Sequence, residues 1–269
     1  MNILIENLSF RYPNGVLALQ EVSLQIGVGE QVAIIGQNGA GKTTLVKHLN
    51  GLLQPSQGRV LIGDWDTRHY SVARLAQRVG YVFQNPDEQL FTKTVQDEIT
   101  FGPRNLGYSG ERLEQLVEDA IALTQLQPMR TSNPYDLTST WRKMVAVASI
   151  LAMDTPILVF DEPTTGQDAA SVMRLAAIIA ELKRRGKTVL TITHDIDFCA
   201  ENFERVIVMG QGRILLDGAP KEVLGQEDIL AQTYVDPPQI TRLGLRLGLS
   251  EVVCTPHEFL HSFEQHCRA

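Results

Sequence analysis

Gly36-Gln37-Asn38-Gly39-Ala40-Gly41-Lys42-Thr43-Thr44 is the stretch that decides the fold of this chain. Before it runs Val32-Ala33-Ile34-Ile35, which reads as a buried strand. After it Leu45-Val46-Lys47-His48-Leu49 reads as a helix ending near Asn50-Gly51. Strand, glycine-rich loop, Lys-Thr and helix is the setting that the phosphate-loop pattern G-x-x-x-x-G-K-[ST] requires. The glycines let successive N–H groups point inward, and the helix N-terminus adds positive potential. In such a cradle Gly36, Asn38, Gly39, Gly41, Lys42, Thr43 and Thr44 surround the phosphates of a nucleoside triphosphate. Lys42 would reach the β- and γ-phosphates, and the Thr43 hydroxyl would sit on Mg²⁺.

Working outward, the chain has 269 residues, 43% of them hydrophobic, enough for one large α/β domain with appendages or for two modest domains. A net charge of -7 argues against a nucleic-acid surface, and none is expected as partner. Cys199, Cys254 and Cys267 are odd in number and form no CxxC, which fits a reducing compartment. The N-terminus lacks a signal-peptide layout, and the longest apolar candidate, Met144 to Met153, falls short of the ~18 residues of a membrane span. The expectation is a soluble chain that meets a membrane only through a partner.

Ile3 to Tyr12 and Val22 to Ile26 read as early strands, suggesting an antiparallel layer beside the phosphate-loop core. Tyr12, at the turn Tyr12-Pro13-Asn14-Gly15, is a candidate to stack on an adenine ring, or an ordinary turn aromatic. Arg59 to Ile62 and Val79 to Phe83 are further strands. Gln84, at the end of the second, could bind Mg²⁺ and orient water. From Asp87 to Ala152 the spacing turns helical, with helices expected over 94–101 and 111–126, punctuated by Pro103, Gly107, Gly110, Pro128 and Pro134. This looks like a helical insertion in the α/β core.

Ile157-Leu158-Val159-Phe160 then delivers Asp161 and Glu162 at a strand end, where ligands bind in open α/β sheets. Asp161 suits the Mg²⁺ shell and Glu162 suits polarising the attacking water. A helix over 169–185 stops at Gly186. The strand 188–193 ends at His194, which could contact the γ-phosphate. The residues from Val206 to Leu216 read as a hairpin. Beyond Pro220 the helical patterns are short. Cys254, His257, His261, His266 and Cys267 gather near the end, but without sharp ligand spacing they read as a surface helix rather than a metal site.

With these pieces in order, the chain resembles the ATP-binding-cassette ATPases from Leu8 to Gly218, about four-fifths of its length. Tyr12 matches the adenine-stacking aromatic and Gly36 to Thr44 the Walker A loop. Gln84 matches the Q-loop glutamine, and Ile157 to Glu162 Walker B with the catalytic glutamate. Thr165 to Asp168 matches the D-loop and His194 the switch histidine. The resemblance implies a P-loop NTPase (RecA-like) α/β core, an antiparallel β subdomain and a helical subdomain. It assigns Glu162, His194 and Gln84 to catalysis and Thr43, Gln84 and Asp161 to Mg²⁺. It implies a cassette over residues 1–219, with the helical part at about 87–152, and a C-terminal extension over 220–269. It also implies a dimer that sandwiches two ATP molecules. The finer match is to energy-coupling-factor ATPases, importers of cobalt, nickel and vitamins. It is carried by Val82 to Phe91, by Phe101-Gly102-Pro103 and by the tail around Pro237-Pro238-Gln239, which that family uses in dimerisation. This implies an integral membrane partner at the cytoplasmic face, docking near Gln89, Leu90 and Phe91.

One motif departs. The family signature Leu-Ser-Gly-Gly-Gln falls on Leu137-Thr138-Ser139-Thr140-Trp141. Ser139 and Thr140 bring Cβ atoms where glycine permits close approach, and Trp141 brings a ring. In a symmetric homodimer both sites would meet this loop. Intact Lys42, Asp161 and Glu162 make more sense in a heterodimer with a second cassette. A cassette acting on nucleic acid or ribosomes, and a weakly hydrolysing regulatory cassette, are the competing readings.

Overall fold

The run Val32 to Ile35 is the middle of a sheet covered on both faces. The computed structural model describes residues 1–267. Its strands are β1 (Ile3–Arg11), β2 (Leu17–Ile26), β3 (Gln31–Ile35), β4 (Gln57–Ile62), β5 (Trp65–Asp66), β6 (Val79–Val82), β7 (Ile157–Asp161), β8 (Thr188–Ile192), β9 (Arg205–Gly210) and β10 (Arg213–Gly218). The large sheet runs β10-β9-β3-β8-β7-β6. Neighbours are parallel except β10, which returns antiparallel on β9.

Side chains alternate along these strands, so each strand feeds two cores. Ala33, Ile35, Leu158, Phe160, Val206 and Val208 point into a core shared with the helices. Val32, Ile34, Ile157, Val159, Ile207 and Met209 point to the other face, against Leu45, Val46 and Leu49 and the apolar residues of the second sheet. That second sheet is antiparallel, in the order β2-β1-β4-β5. The expected antiparallel layer is therefore present, and β4 and β5 extend it.

The helices Val95–Asn105, Gly110–Thr124 and Ser139–Leu151, which follow β6 and precede β7 in the chain, pack on one another. Two boundaries differ from expectation. The first helix continues through Pro103, which forfeits its own bond to the Ile99 carbonyl, and closes two residues later at Asn105. The second ends at Thr124, where Gln125 adopts φ 59°. The phosphate-loop helix opens at Lys42 rather than Leu45, on Gly41. Beyond residue 219, Val223, Leu224, Leu230, Val235 and Cys254 join the helix-side core. The helix Pro256–His266 buries none of its residues. Residues 268 and 269, which end the expected extension, lie outside the described residues. Among the described residues no helix is long and apolar enough to cross a membrane.

Candidate nucleotide site

The phosphate loop leaves β3 under tight steric control. Gly36 has φ 142°, and a Cβ there would stand 2.1 Å from the Met209 carbonyl oxygen. Gly41 has φ 100°, and its Cβ would stand 2.7 Å from the Ala18 carbonyl oxygen. Both positions admit only glycine. The turn between β9 and β10 fastens the loop, since Gly212 N–H donates to the Ala40 carbonyl at 3.0 Å. Lys42 is buried, and its Nζ donates to the carbonyls of Gly36 (2.7 Å) and Gln37 (3.0 Å). Burial lowers its pKa, opposed by the carboxylates of Glu162 and Asp161.

Those carboxylates end β7. Asp161 Oδ1 accepts from the Thr43 hydroxyl at 3.1 Å, and Oδ2 accepts from the Tyr81 hydroxyl at 2.6 Å. Burial, and then the Asp161 charge, push the Tyr81 phenol well above its ordinary pKa, so it stays a donor. Glu162 has φ 50°, a left-handed conformation uncommon outside glycine and concentrated at functional sites. Its N–H donates to the Ile192 carbonyl at 2.9 Å. Its Oε1 lies 2.9 Å from His194 Nε2, and Oε2 accepts from the Thr165 hydroxyl at 3.3 Å. β8 lies beside β7, which brings residues 162 and 194 together.

The structure gathers the sequence-predicted residues into one place. A cleft of about 740 Å³, counting space open to solvent, is lined by Tyr12, Asn38, Gly39, Gly41, Lys42, Thr43, Thr44, Gln84, Glu162 and His194. Gly36 contributes its carbonyl to Lys42, and Asp161 lies on Thr43 at the floor. The Tyr12 hydroxyl shares a 3.0 Å hydrogen bond with that of Thr44, and its ring packs edge-on against Phe10 at 4.9 Å. The volume suits a nucleotide. Inward N–H groups and a lysine suit its phosphates. The Thr43 and Asp161 oxygens, 3.1 Å apart, are the hard donors that Mg²⁺ takes.

Two polar residues on this site escaped the sequence reading. Tyr81 stood in a run taken only as a strand. Lys143 is 2% exposed, and its Nζ donates to the carbonyls of Phe83 (3.3 Å) and Gln84. Burial pushes its pKa down to about 8 against the opposing pull of Asp161 and Glu162. A lysine opening the apolar run at Met144 was the available signal. The expected docking trio divides. Phe91 is 60% exposed, Leu90 is buried, and Gln89 is locked inward on the Phe83 N–H and the Ala146 carbonyl.

The ABC transporter family model matches residues 19–165. This chain belongs to that family of ATP-binding cassettes, which are ATPases. The cassette is 37% identical to the energy-coupling factor transporter ATP-binding protein EcfA of Methanothermobacter thermautotrophicus, over 96% of this chain and 86% of that protein. It is 44% identical to a putative ABC transporter ATP-binding protein of Methanosarcina acetivorans over 91% of this chain, but spans only 40% of that relative's length. Its fold superposes on cbiO1 from Clostridium perfringens, part of the ABC transporter complex cbiONQ. There the TM-score is 0.76 at 32% identity, covering 91% of this chain and 98% of that one. A dimeric cassette, MJ0796, bound to ADP and Pi after hydrolysis, gives a TM-score of 0.74 at 26% identity over 81% of this chain and 98% of that one.

In the cassette the segment aligned with the signature opens the helix Ser139–Leu151. Thr138 caps that helix, its hydroxyl accepting from Trp141 N–H at 3.5 Å. The Trp141 ring carries the Arg174 guanidinium at 4.8 Å. Asp168, at the end of the D-loop, caps the helix Ala169–Arg184 through Ser171 N–H at 2.8 Å.

Proposed function

We propose that this cassette is the ATP-hydrolysing subunit of an energy-coupling-factor importer, driving uptake of a metal ion or vitamin through integral membrane partners at the cytoplasmic face. The observation that carries the reading is the convergence of Lys42, Thr43, Asp161, Glu162 and His194 on one cleft. Asn38, Gly39, Gly41 and Thr44 hold the phosphates, and Tyr12 takes the adenine. Lys42 exchanges its carbonyl partners for phosphate oxygens. Thr43, Asp161 and Gln84 would hold Mg²⁺, which neutralises charge on the transferring phosphoryl group. Glu162, aligned by His194 and Thr165, takes the proton of the water that attacks the γ-phosphorus, while the bond to the β–γ bridging oxygen breaks. ADP and phosphate leave.

Residues 1–219 form the cassette in this reading and 220–269 an extension with a role in dimerisation. Thr138 is engaged in a helix cap, and Ser139 and Thr140 carry Cβ atoms, so this chain's signature segment is a poor cover for a partner's γ-phosphate. A heterodimer with a second, glycine-bearing cassette leaves one strong site, built on this chain's Lys42 and Glu162, and one weak site.

Two variants of the assembled complex test the reading. Glu162→Gln should keep ATP binding while cutting turnover at least ~10²-fold, the scale for one acid–base group. Lys42→Ala should instead weaken nucleotide binding. Unchanged turnover in the glutamine variant sinks the assignment.

A further inference from the structure

Among the described residues Lys143 is a buried ammonium with no carboxylate hydrogen-bonded to it; its partners are two backbone carbonyls, of Phe83 and Gln84. A charge in that setting is unfavourable unless its bonds are kept, so the strand end and the lysine are tied firmly. The tie joins two segments with different duties. Phe83 and Gln84 leave β6 at the edge of this chain's own cleft, where Gln84 lines the wall. Lys143 stands on the helix Ser139–Leu151, two residues after the signature segment.

Further contacts fasten the same two pieces. Arg142 pairs with Asp87 at 3.1 Å, and Gln89 Nε2 donates to the Ala146 carbonyl (2.8 Å) and the Ser149 hydroxyl (3.0 Å). These lie farther along the chain from Gln84. Lys143 alone of the three grips the Gln84 carbonyl itself.

We infer that Lys143 is a positioning residue that couples the chain's two nucleotide-facing segments, the Gln84 strand end in its own cleft and the signature segment that faces a partner's. The inference rests on the proposed nucleotide reading of both. A shift of Gln84 toward a bound nucleotide then pulls on the start of the signature helix, and the coupling acts equally in reverse. Coupling of this sort needs a contiguous element that both sites bias, and the Lys143 bond supplies it.

Trp141 makes the test direct. The chain has two tryptophans, and Trp65→Phe leaves Trp141, inside the signature segment, as the sole tryptophan, to be excited selectively over tyrosine. The full chain in this background is titrated with ATP and Mg²⁺, binding being measured separately by equilibrium dialysis. ATP should change Trp141 emission. Lys143→Met should bind ATP with the same affinity, melt at the same temperature and lose the emission change, and Lys143→Arg should restore it. Should Lys143→Met not fold, Lys143→Arg decides: an emission change supports the coupling, and its loss with parental melting overturns it. ATP binding with a silent Trp141, or an emission change that survives in a folded Lys143→Met, overturns the inference alone. Absence of ATP binding by the parent overturns the nucleotide reading and the inference with it.

Discussion

Tyr81 donates its hydroxyl to Asp161 Oδ2 at 2.6 Å, so the carboxylate that faces Thr43 with one oxygen is anchored by a phenol through the other. A hydrogen bond to a charged group contributes about 1.5–3 kcal/mol, and partners that orient metal ligands affect metal affinity by roughly 10–100-fold. Tyr81→Phe should therefore raise the Mg²⁺ concentration for half-maximal ATPase activity by about 10-fold, with little change in the ATP requirement at saturating Mg²⁺. An unaltered Mg²⁺ titration would show that Asp161 needs no such anchor.

In the proposed reading the membrane partner docks in the apolar groove beside the helix Val95–Asn105. Phe91 and Phe101 meet edge to face at 4.7 Å, and with Leu106, Ile150 and Met153 they line a groove of about 810 Å³. Phe91→Asp should weaken co-purification of the membrane subunit by roughly 30-fold, the scale of losing one interface anchor. ATP binding by the soluble chain should be retained. Full retention of the membrane subunit would place its dock elsewhere.

Restoring the signature should relieve the isolated chain if it dimerises with itself. Thr140→Gly combined with Trp141→Gln removes one Cβ and the ring that carries Arg174. ATPase activity of the isolated chain should rise roughly 10-fold or more, as expected when backbone donors regain a developing phosphate charge. Mixed with a glycine-bearing second cassette, as the proposed heterodimer requires, the parent chain should already exceed the isolated chain. Equal rates for the parent alone and mixed would exclude the asymmetric pair.

Thiol chemistry should find one cysteine of three. Cys199 and Cys254 are buried, whereas Cys267 is exposed. Burial pushes the Cys199 thiol far up and that of Cys254 up to about 11, so neither forms thiolate near neutral pH. A disulfide reagent should titrate one thiol in the native chain and three in denaturant. A second fast native thiol would mean that the C-terminal segment opens.

The phosphate loop and Asp161-Glu162 were legible because their chemistry demands residues adjacent in sequence. Strand ends then place such pairs in a cleft whatever the rest of the chain does. Tyr81 and Lys143 were not legible because their partners are set by topology. Tyr81 reaches Asp161 only because β6 lies beside β7, with Tyr81 opposite Val159. Lys143 reaches Gln84 only because the signature helix lies across the strand end. Leu90 and Gln89 looked like surface residues beside a loop, but Gln89 satisfies backbone groups that would otherwise be buried unpaired. Pro103 looked like a helix end, but the helix runs two residues past it, to Asn105.

The position of β3 governs how this chain comes to life on the ribosome. Val32 pairs with Leu190 on one side and Arg205 on the other, and the loop that follows leans on Met209 and Gly212. Every one of these supports is made long after the glycine-rich loop has left the exit tunnel. Such distant pairings make folding slow, because much chain must be ordered before the contact forms. A nascent chain halted before Gly210 thus carries the whole phosphate-loop motif without the walls that shape it. Nucleotide can steady the loop only once residues 205–212 have been made, and until β8 and β9 form, β3 waits without neighbours.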